Sequence, residues 1–113
     1  MPDTDKELLE RAARAAGYKL DGTFGKGLLV IDGERAMPFD PLTDDGDNAR
    51  LEAACEINIE WQRIGVIATK LMPNVRDDVR VRVPYSDHNG DKQKARRYAS
   101  TRAAASLCQG GEG

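Results

Sequence analysis

The densest chemistry in the sequence is the run Phe39-Asp40-Pro41-Leu42-Thr43-Asp44-Asp45-Gly46-Asp47-Asn48, with four carboxylates in eight positions. Two tasks suit such a cluster. At a helix start, Thr43 or Asp44 would accept hydrogen bonds from unpaired backbone N–H groups, and Asp45 and Asp47 would lie at the positive end of the helix dipole. Alternatively, Asp44, Asp45 and Asp47 would offer clustered oxygens to a divalent cation. The calcium-loop pattern fails in every register: Gly46 is not preceded by alternating ligands, and no Glu closes the loop. The run is read as a helix-capping motif of Thr43, Asp44, Asp45 and Asp47, with no metal and no cofactor expected.

The second candidate is cationic. Residues 57–113 carry ten Lys or Arg against six Asp or Glu, net +4, whereas residues 1–56 carry seven against thirteen, net −6. Arg80 and Arg82 share one strand face, and Arg76, Lys92, Lys94, Arg96 and Arg97 lie nearby in sequence. Arg80, Arg82, Lys94, Arg96 and Arg97 are the candidate partner- or phosphate-binding residues. Only Tyr85 and Tyr98 interleave with them, fewer aromatics than a base-stacking platform uses. The competing reading is a solvated strand face whose arginines pair with Glu60, Asp77 or Asp78.

Catalysis has less to work with. The one histidine, His88, falls in Ser86-Asp87-His88-Asn89-Gly90-Asp91, a composition that serves turn geometry. No Ser or Cys stands directly beside it in sequence. Gly25-x-Gly27 lacks the Lys-Ser/Thr sequel and the following helix of a phosphate loop. Cys55 sits in an Ala-rich helical stretch, where a thiol behaves as a small apolar residue, and Cys108 is near the tail. Two cysteines in a cytosolic chain do not predict a disulfide. Trp61, the lone tryptophan, is read as a core residue; exposed at an edge it would mark a partner surface. No enzyme activity is expected.

These residues need elements to hold them. Thr4-Asp5-Lys6-Glu7 reads as a capping box opening a helix over 3–16, with Leu8/Ala12/Ala15 and Leu9/Ala13/Ala16 in helical rows and Gly17 as the stop. Strands are predicted over 18–20 and 27–31, with Asp32-Gly33 as a hairpin turn. A third strand over 35–37 is limited by Pro38 to an edge. A second helix follows Thr43 and runs to about Glu56, with Leu51, Ala54 and Cys55 on one face. Residues 57–61 alternate with Ile57, Ile59 and Trp61 inward, 64–70 is a β-branched run, and Pro73-Asn74 breaks it. Residues 79–83 alternate with Val79, Val81 and Val83 inward. A last helix over 91–107 puts Ala95, Tyr98, Ala99, Ala103 and Leu107 on one stripe. The expected fold is α+β, in the order α-β-β-(β)-α-β-β-β-α: a mainly antiparallel sheet of about five strands packed with three Ala-rich helices. One domain spans 1–108, and 109–113 is a flexible Gly-rich tail.

The stretch Asp40-Pro41-Leu42-Thr43-Asp44-Asp45-Gly46-Asp47, continued by Ala49-Arg50-Leu51-Glu52-Ala53, resembles the N-P-L-x-D-D-G-D-A-x-R-L-A element of short bacteriophage and prophage proteins with the phage α-β-α sandwich domain. The opening residues 7–17 are similar to that family's LLELAAKAAG start, and residues 96–105 to its RRAIVRAAAEI end. The sequence differs from the pattern at Phe39-Asp40, where Trp-Asn is usual, at Asn48, and in a longer charged segment over 73–82. The resemblance implies an accessory phage gene product and a fold, and it carries no catalytic residues.

Composition bounds the rest. At 113 residues, 40% apolar and 32% charged, the chain is one domain's worth with a modest core. Its 17 basic and 19 acidic residues, net −2, exclude a histone-like nucleic-acid binder and an acidic disordered tail. No apolar run approaches the roughly 20 residues that span a bilayer, and residues 1–10 are unlike a secretory signal. The expected location is therefore the bacterial host's cytoplasm. The half-to-half charge polarity favours oriented docking or head-to-tail self-association. The expected function is a non-enzymatic phage or prophage accessory protein acting through contact with a host or phage protein, such as a host defence or regulatory component. The alternatives are a nucleic-acid-binding phage regulator using the basic residues, and a protein that sequesters a small ligand or nucleotide in a pocket lined by those arginines.

Overall fold

A computed structural model describes residues 5–24, 27–71 and 78–112, the side chains of Phe24 and of residues 108–112 excepted. Thr4 of the capping box, the break at Pro73-Asn74, Arg76 and the Cys108 thiol lie outside what is described. The chain forms α1 (Asp5–Ala15), β1 (Lys19–Phe24), β2 (Gly27–Asp32), β3 (Arg35–Phe39), α2 (Asp45–Cys55), β4 (Asn58–Trp61), β5 (Gly65–Lys70) and β6 (Val79–Pro84). A short 3-10 turn, Tyr85–His88, then leads into α3 (Lys92–Glu112).

Local chemistry sets the ends of the first two helices. In α1 the apolar rows bury Leu8, Leu9, Ala12 and Ala13. Gly17 then takes φ +88, with Gly17 N–H bonded to Arg14 O and Tyr18 N–H to Ala13 O, both at 3.0 Å. The same stop ends α2, but on a non-glycine: Glu56 stands at φ 56 and Ile57 N–H returns to Glu52 O at 2.9 Å. The buried residues of α2 are Asp47, Asn48, Leu51 and Cys55. Ala54, expected beside Leu51 and Cys55, is exposed instead.

The strands do not make one sheet of about five. They make two antiparallel three-stranded sheets, β1-β2-β3 and β4-β5-β6. The physical reason lies in the middle of the chain. Pro38 deprives β3 of a backbone donor, and α2 intervenes before β4 begins, so the second set of strands starts a new sheet. The helices occupy the layer between: α1 packs on β1 and β2, α3 packs across β5 and β6, and α1 lies against α3.

This central placement changes the expected face of α3. Ala95, Ala99, Ser100, Thr101, Ala103, Ala104 and Ala105 are all buried, a set that sweeps around most of the helix. Tyr98 and Leu107, expected on a single buried stripe, are only half-buried. A helix covered by α1, α2 and a sheet buries several faces, and small residues let those neighbours approach. The larger core side chains, Leu9, Val30, Phe39, Leu51, Val66 and Val83, belong to the same core. Each contributes roughly 1.5–3 kcal/mol on burial.

Candidate functional site

The acidic run folds into a hydrogen-bonded helix start. Asp44 is the N-cap of α2, its Oδ1 accepting Asp47 N–H at 3.0 Å. Asp47 turns back into the protein, where Oδ2 accepts Asp40 N–H at 2.9 Å and Oδ1 pairs with Arg50. Thr43 donates its hydroxyl to Asp40 Oδ2 at 2.6 Å, and Asp45 pairs with Arg97 across to α3 at 2.8 Å. Of the four residues expected to cap, Asp44 is the cap, Asp45 and Asp47 stand in the first turn, and the Thr43 hydroxyl bonds to Asp40 rather than to a helix N–H. The carboxylates diverge to different partners, and no group of three metal-ligating side chains occurs among the described residues.

The candidate basic residues separate into two sets. Arg96 is clamped to Glu52 through Nε at 3.0 Å and Nη2 at 2.6 Å, and the Ser100 hydroxyl donates to the same carboxylate. That hydrogen-bonded partner raises the Arg96 pKa above its ordinary value. Arg97 donates to Leu42 O at 2.9 Å as well as to Asp45, and its own carbonyl accepts from Asn48 and Thr101. These arginines join α3 to α2, so part of the charge polarity along the chain is neutralised inside the molecule. Arg80 and Arg82 lie elsewhere, exposed on the outer face of β6 beside Thr69 and Ile67. Lys94 is exposed at the start of α3. Five residues near in sequence do not form one patch.

A cleft of about 520 Å³ opens beside the acidic run, lined by Tyr18, Asp32, Arg35, Met37, Pro38, Asp44, Asp47 and Arg50. Burial, aided by the Asp32 charge, raises the Tyr18 phenol pKa. Its two arginines are not those proposed from the sequence, and Arg50 is already paired with Asp47. The other reactive groups are Cys55 and His88. Burial pushes the Cys55 thiol up, away from the nucleophilic thiolate. His88 stacks 4.6 Å from Tyr98, and its Nε2 has no hydrogen-bond partner among the described residues.

The β4–β5 hairpin is where the sequence reading is overturned. Trp61 is not in the core; it is 47% exposed, and Ile64 at the hairpin tip is 61% exposed. Register explains the first. Trp61 pairs with Val66, which pairs with Val83, so all three share the sheet face turned toward α3. α3 covers β5 and β6, burying Val66 and Val83, but does not lie across β4. Ile59 therefore packs partly against the core, and Trp61 stands exposed at the margin of the sheet.

The hairpin itself is held in place. Tyr85 N–H bonds to Ile64 O at 3.0 Å and its hydroxyl donates to Gln62 O at 2.7 Å. A Cβ on Gly65 would stand 3.0 Å from Val83 O, so glycine permits the close β5–β6 approach beneath it. Ile64, Pro84, Tyr85, Ser86, Asn89 and Gly90 line an apolar hollow there. The discriminating signal in the sequence was Trp61 at the end of a sheet's first strand, but burial depended on what the helix covers.

No helix among the described residues is long and apolar enough to cross a membrane. No family model matches the chain, and no curated protein matches it in sequence.

Proposed function

We propose that this chain is a small non-enzymatic phage or prophage accessory protein that acts through protein–protein contact, with the β4 margin and hairpin tip as its contact surface. One observation carries the reading: the only tryptophan is half-exposed beside Ile59 on an apolar sheet margin against which no helix packs extensively among the described residues. Large aromatic side chains on a rigid element are the usual anchors of protein interfaces. Tyr85 supplies the rigidity by strapping the hairpin. The resemblance of residues 40–53 to the phage element supports the accessory class, and a host defence or regulatory component is the target class.

Affinity capture from a bacterial host extract tests this. The full chain should retain a partner in stoichiometric amount, and the double variant Trp61→Ser with Ile64→Ser should lose it while keeping its far-UV circular dichroism. Capture of no stoichiometric partner by the wild-type chain, neither a host protein nor a second copy of the chain, refutes the reading.

A nucleic-acid-binding regulator is the second reading, favoured by the exposed Arg80 and Arg82 on one sheet face. It cannot draw on Arg96 and Arg97 without breaking their bonds to Glu52, Leu42 and Asp45. A mobility shift insensitive to Arg80→Glu with Arg82→Glu would exclude it.

A further inference from the structure

We propose that the β4 margin is filled by β4 of a second copy of this chain, giving a twofold dimer in which two three-stranded sheets join into one of six strands. The proposal rests on the reading of β4 as a contact surface and names its occupant.

Four strand edges are unpaired among the described residues: β1 and β3 in one sheet, β4 and β6 in the other. Exposed edges invite pairing, and proteins blunt them with bulges, proline or charge. On β1 the register shifts between Leu20 and Thr23, around Gly22 at φ +115. β3 carries Pro38. β6 carries Arg80 and Arg82, which would stand opposite each other in self-pairing. β4, Asn58-Ile59-Glu60-Trp61, has no proline, no bulge and no cation. It is also the edge with an uncovered apolar face.

The hydrogen-bond phase fits. Gln62 N–H bonds to Gly65 O at 2.8 Å, in the register that pairs Trp61 with Val66. Backbone direction alternates along an antiparallel strand, so the N–H groups of Asn58 and Glu60 also turn to β5, and those of Ile59 and Trp61 turn to the free edge. Antiparallel pairing centred on Ile59 then lets each Ile59 N–H reach Ile59 O of the second copy, and each Trp61 N–H reach Ile57 O.

Charge selects the register. Centred on Ile59, Glu60 stands opposite Asn58 and no like charges meet, while Ile59 and Trp61 of both copies share one apolar face and Ile57 stays buried in its own copy. Centred on Glu60, two carboxylates face each other at the closest spacing. Centred on Trp61, Gln62 and Arg63 would have to extend, but they belong to the turn that Tyr85 holds. A twofold interface also closes on itself. Joining β4 to β6 of another copy with the same face up would require parallel strands and leave an open chain of molecules.

Sedimentation velocity of the full chain across a concentration series is the test. The mass should rise to two copies and stop, and Trp61 emission should shift to the blue along the same curve. Ile59→Pro removes the outward N–H while sparing the β4–β5 ladder, and should weaken dimerisation by at least about tenfold. Trp61→Lys, a second variant that charges the apolar row, should do the same without changing the far-UV spectrum. Arg82→Glu should leave the dimer unchanged. A chain that stays monomeric throughout overturns the proposal, as does assembly beyond two copies or dissociation by Arg82→Glu. A monomer that still captures a Trp61-dependent partner leaves the contact-surface reading standing, whereas a monomer that captures none removes both.

Discussion

Replacing Glu52 with Ala would show how far the α2–α3 junction depends on its ion pair. The Glu52 side chain is 11% exposed and Arg96 26%, so removing the carboxylate leaves a largely buried guanidinium without its two acceptors. It also leaves the Ser100 hydroxyl without its carboxylate partner. Breaking a fully buried pair by deleting one partner costs roughly 3–5 kcal/mol. Water can reach the exposed quarter of Arg96 and recover part of that, so the expected loss is about 2–3 kcal/mol. Unfolding entropy near 2.1 cal/mol/K per residue converts this to a fall in Tm of roughly 10 °C. Urea unfolding and calorimetry would measure both. The double variant Glu52→Leu with Arg96→Met removes both charges and should recover to within about 1 kcal/mol of the wild type, because an apolar replacement carries no desolvation cost. A loss below about 0.5 kcal/mol for Glu52→Ala, or a double variant as unstable as the single one, would refute the reasoning.

Two further predictions concern stability. A Cβ at Gly27 would lie 2.8 Å from the Phe39 carbonyl oxygen and 2.7 Å from Asp40 Cβ, so Gly27→Ala must push β2 from β3 where the acidic run begins. The expected cost is about 1–3 kcal/mol, read as a lower urea midpoint with unchanged slope. For His88, burial and then the Lys94 and Arg102 charges lower the pKa below its ordinary 6.5. The unfolded chain binds the proton more readily, so this contribution is present above pH 6.5 and is lost as pH falls through the folded value. Stability of the wild type should rise with pH in that window, and His88→Phe should flatten the slope; an unchanged slope would contradict the assignment.

How much of this was legible in the sequence differs by residue. The capping motif was, because a cap acts within one turn: Asp44 reaches Asp47 N–H three residues away. The α1 rows and the Gly17 stop were readable for the same reason. The pairing of Arg96 with Glu52 and of Arg97 with Asp45 was not, since the partners lie 44 and 52 residues apart and meet only when α3 docks on α2. Trp61 shows the limit most clearly. Alternation put Trp61 inward with Ile57 and Ile59, and strand pairing does set it on the face of the buried Val66 and Val83, but no period in a strand reports whether a helix extends over that part of the face.

Local chemistry was already written in the residues: amphipathic rows in α1, a carboxylate-rich helix start, alternating strands, and an Ala-rich final helix. How those pieces divide the surface followed from their packing. Pro38 and α2 separate the strands into two sheets, and α3 takes the centre because its small side chains let neighbours approach from several sides. The arginines of α3 are thereby tied to α2, while the margin at β4 is left open. Dihedral preferences and side-chain periodicity act over a few residues, whereas coverage depends on where a distant helix comes to rest, and that is why Trp61 is at the surface.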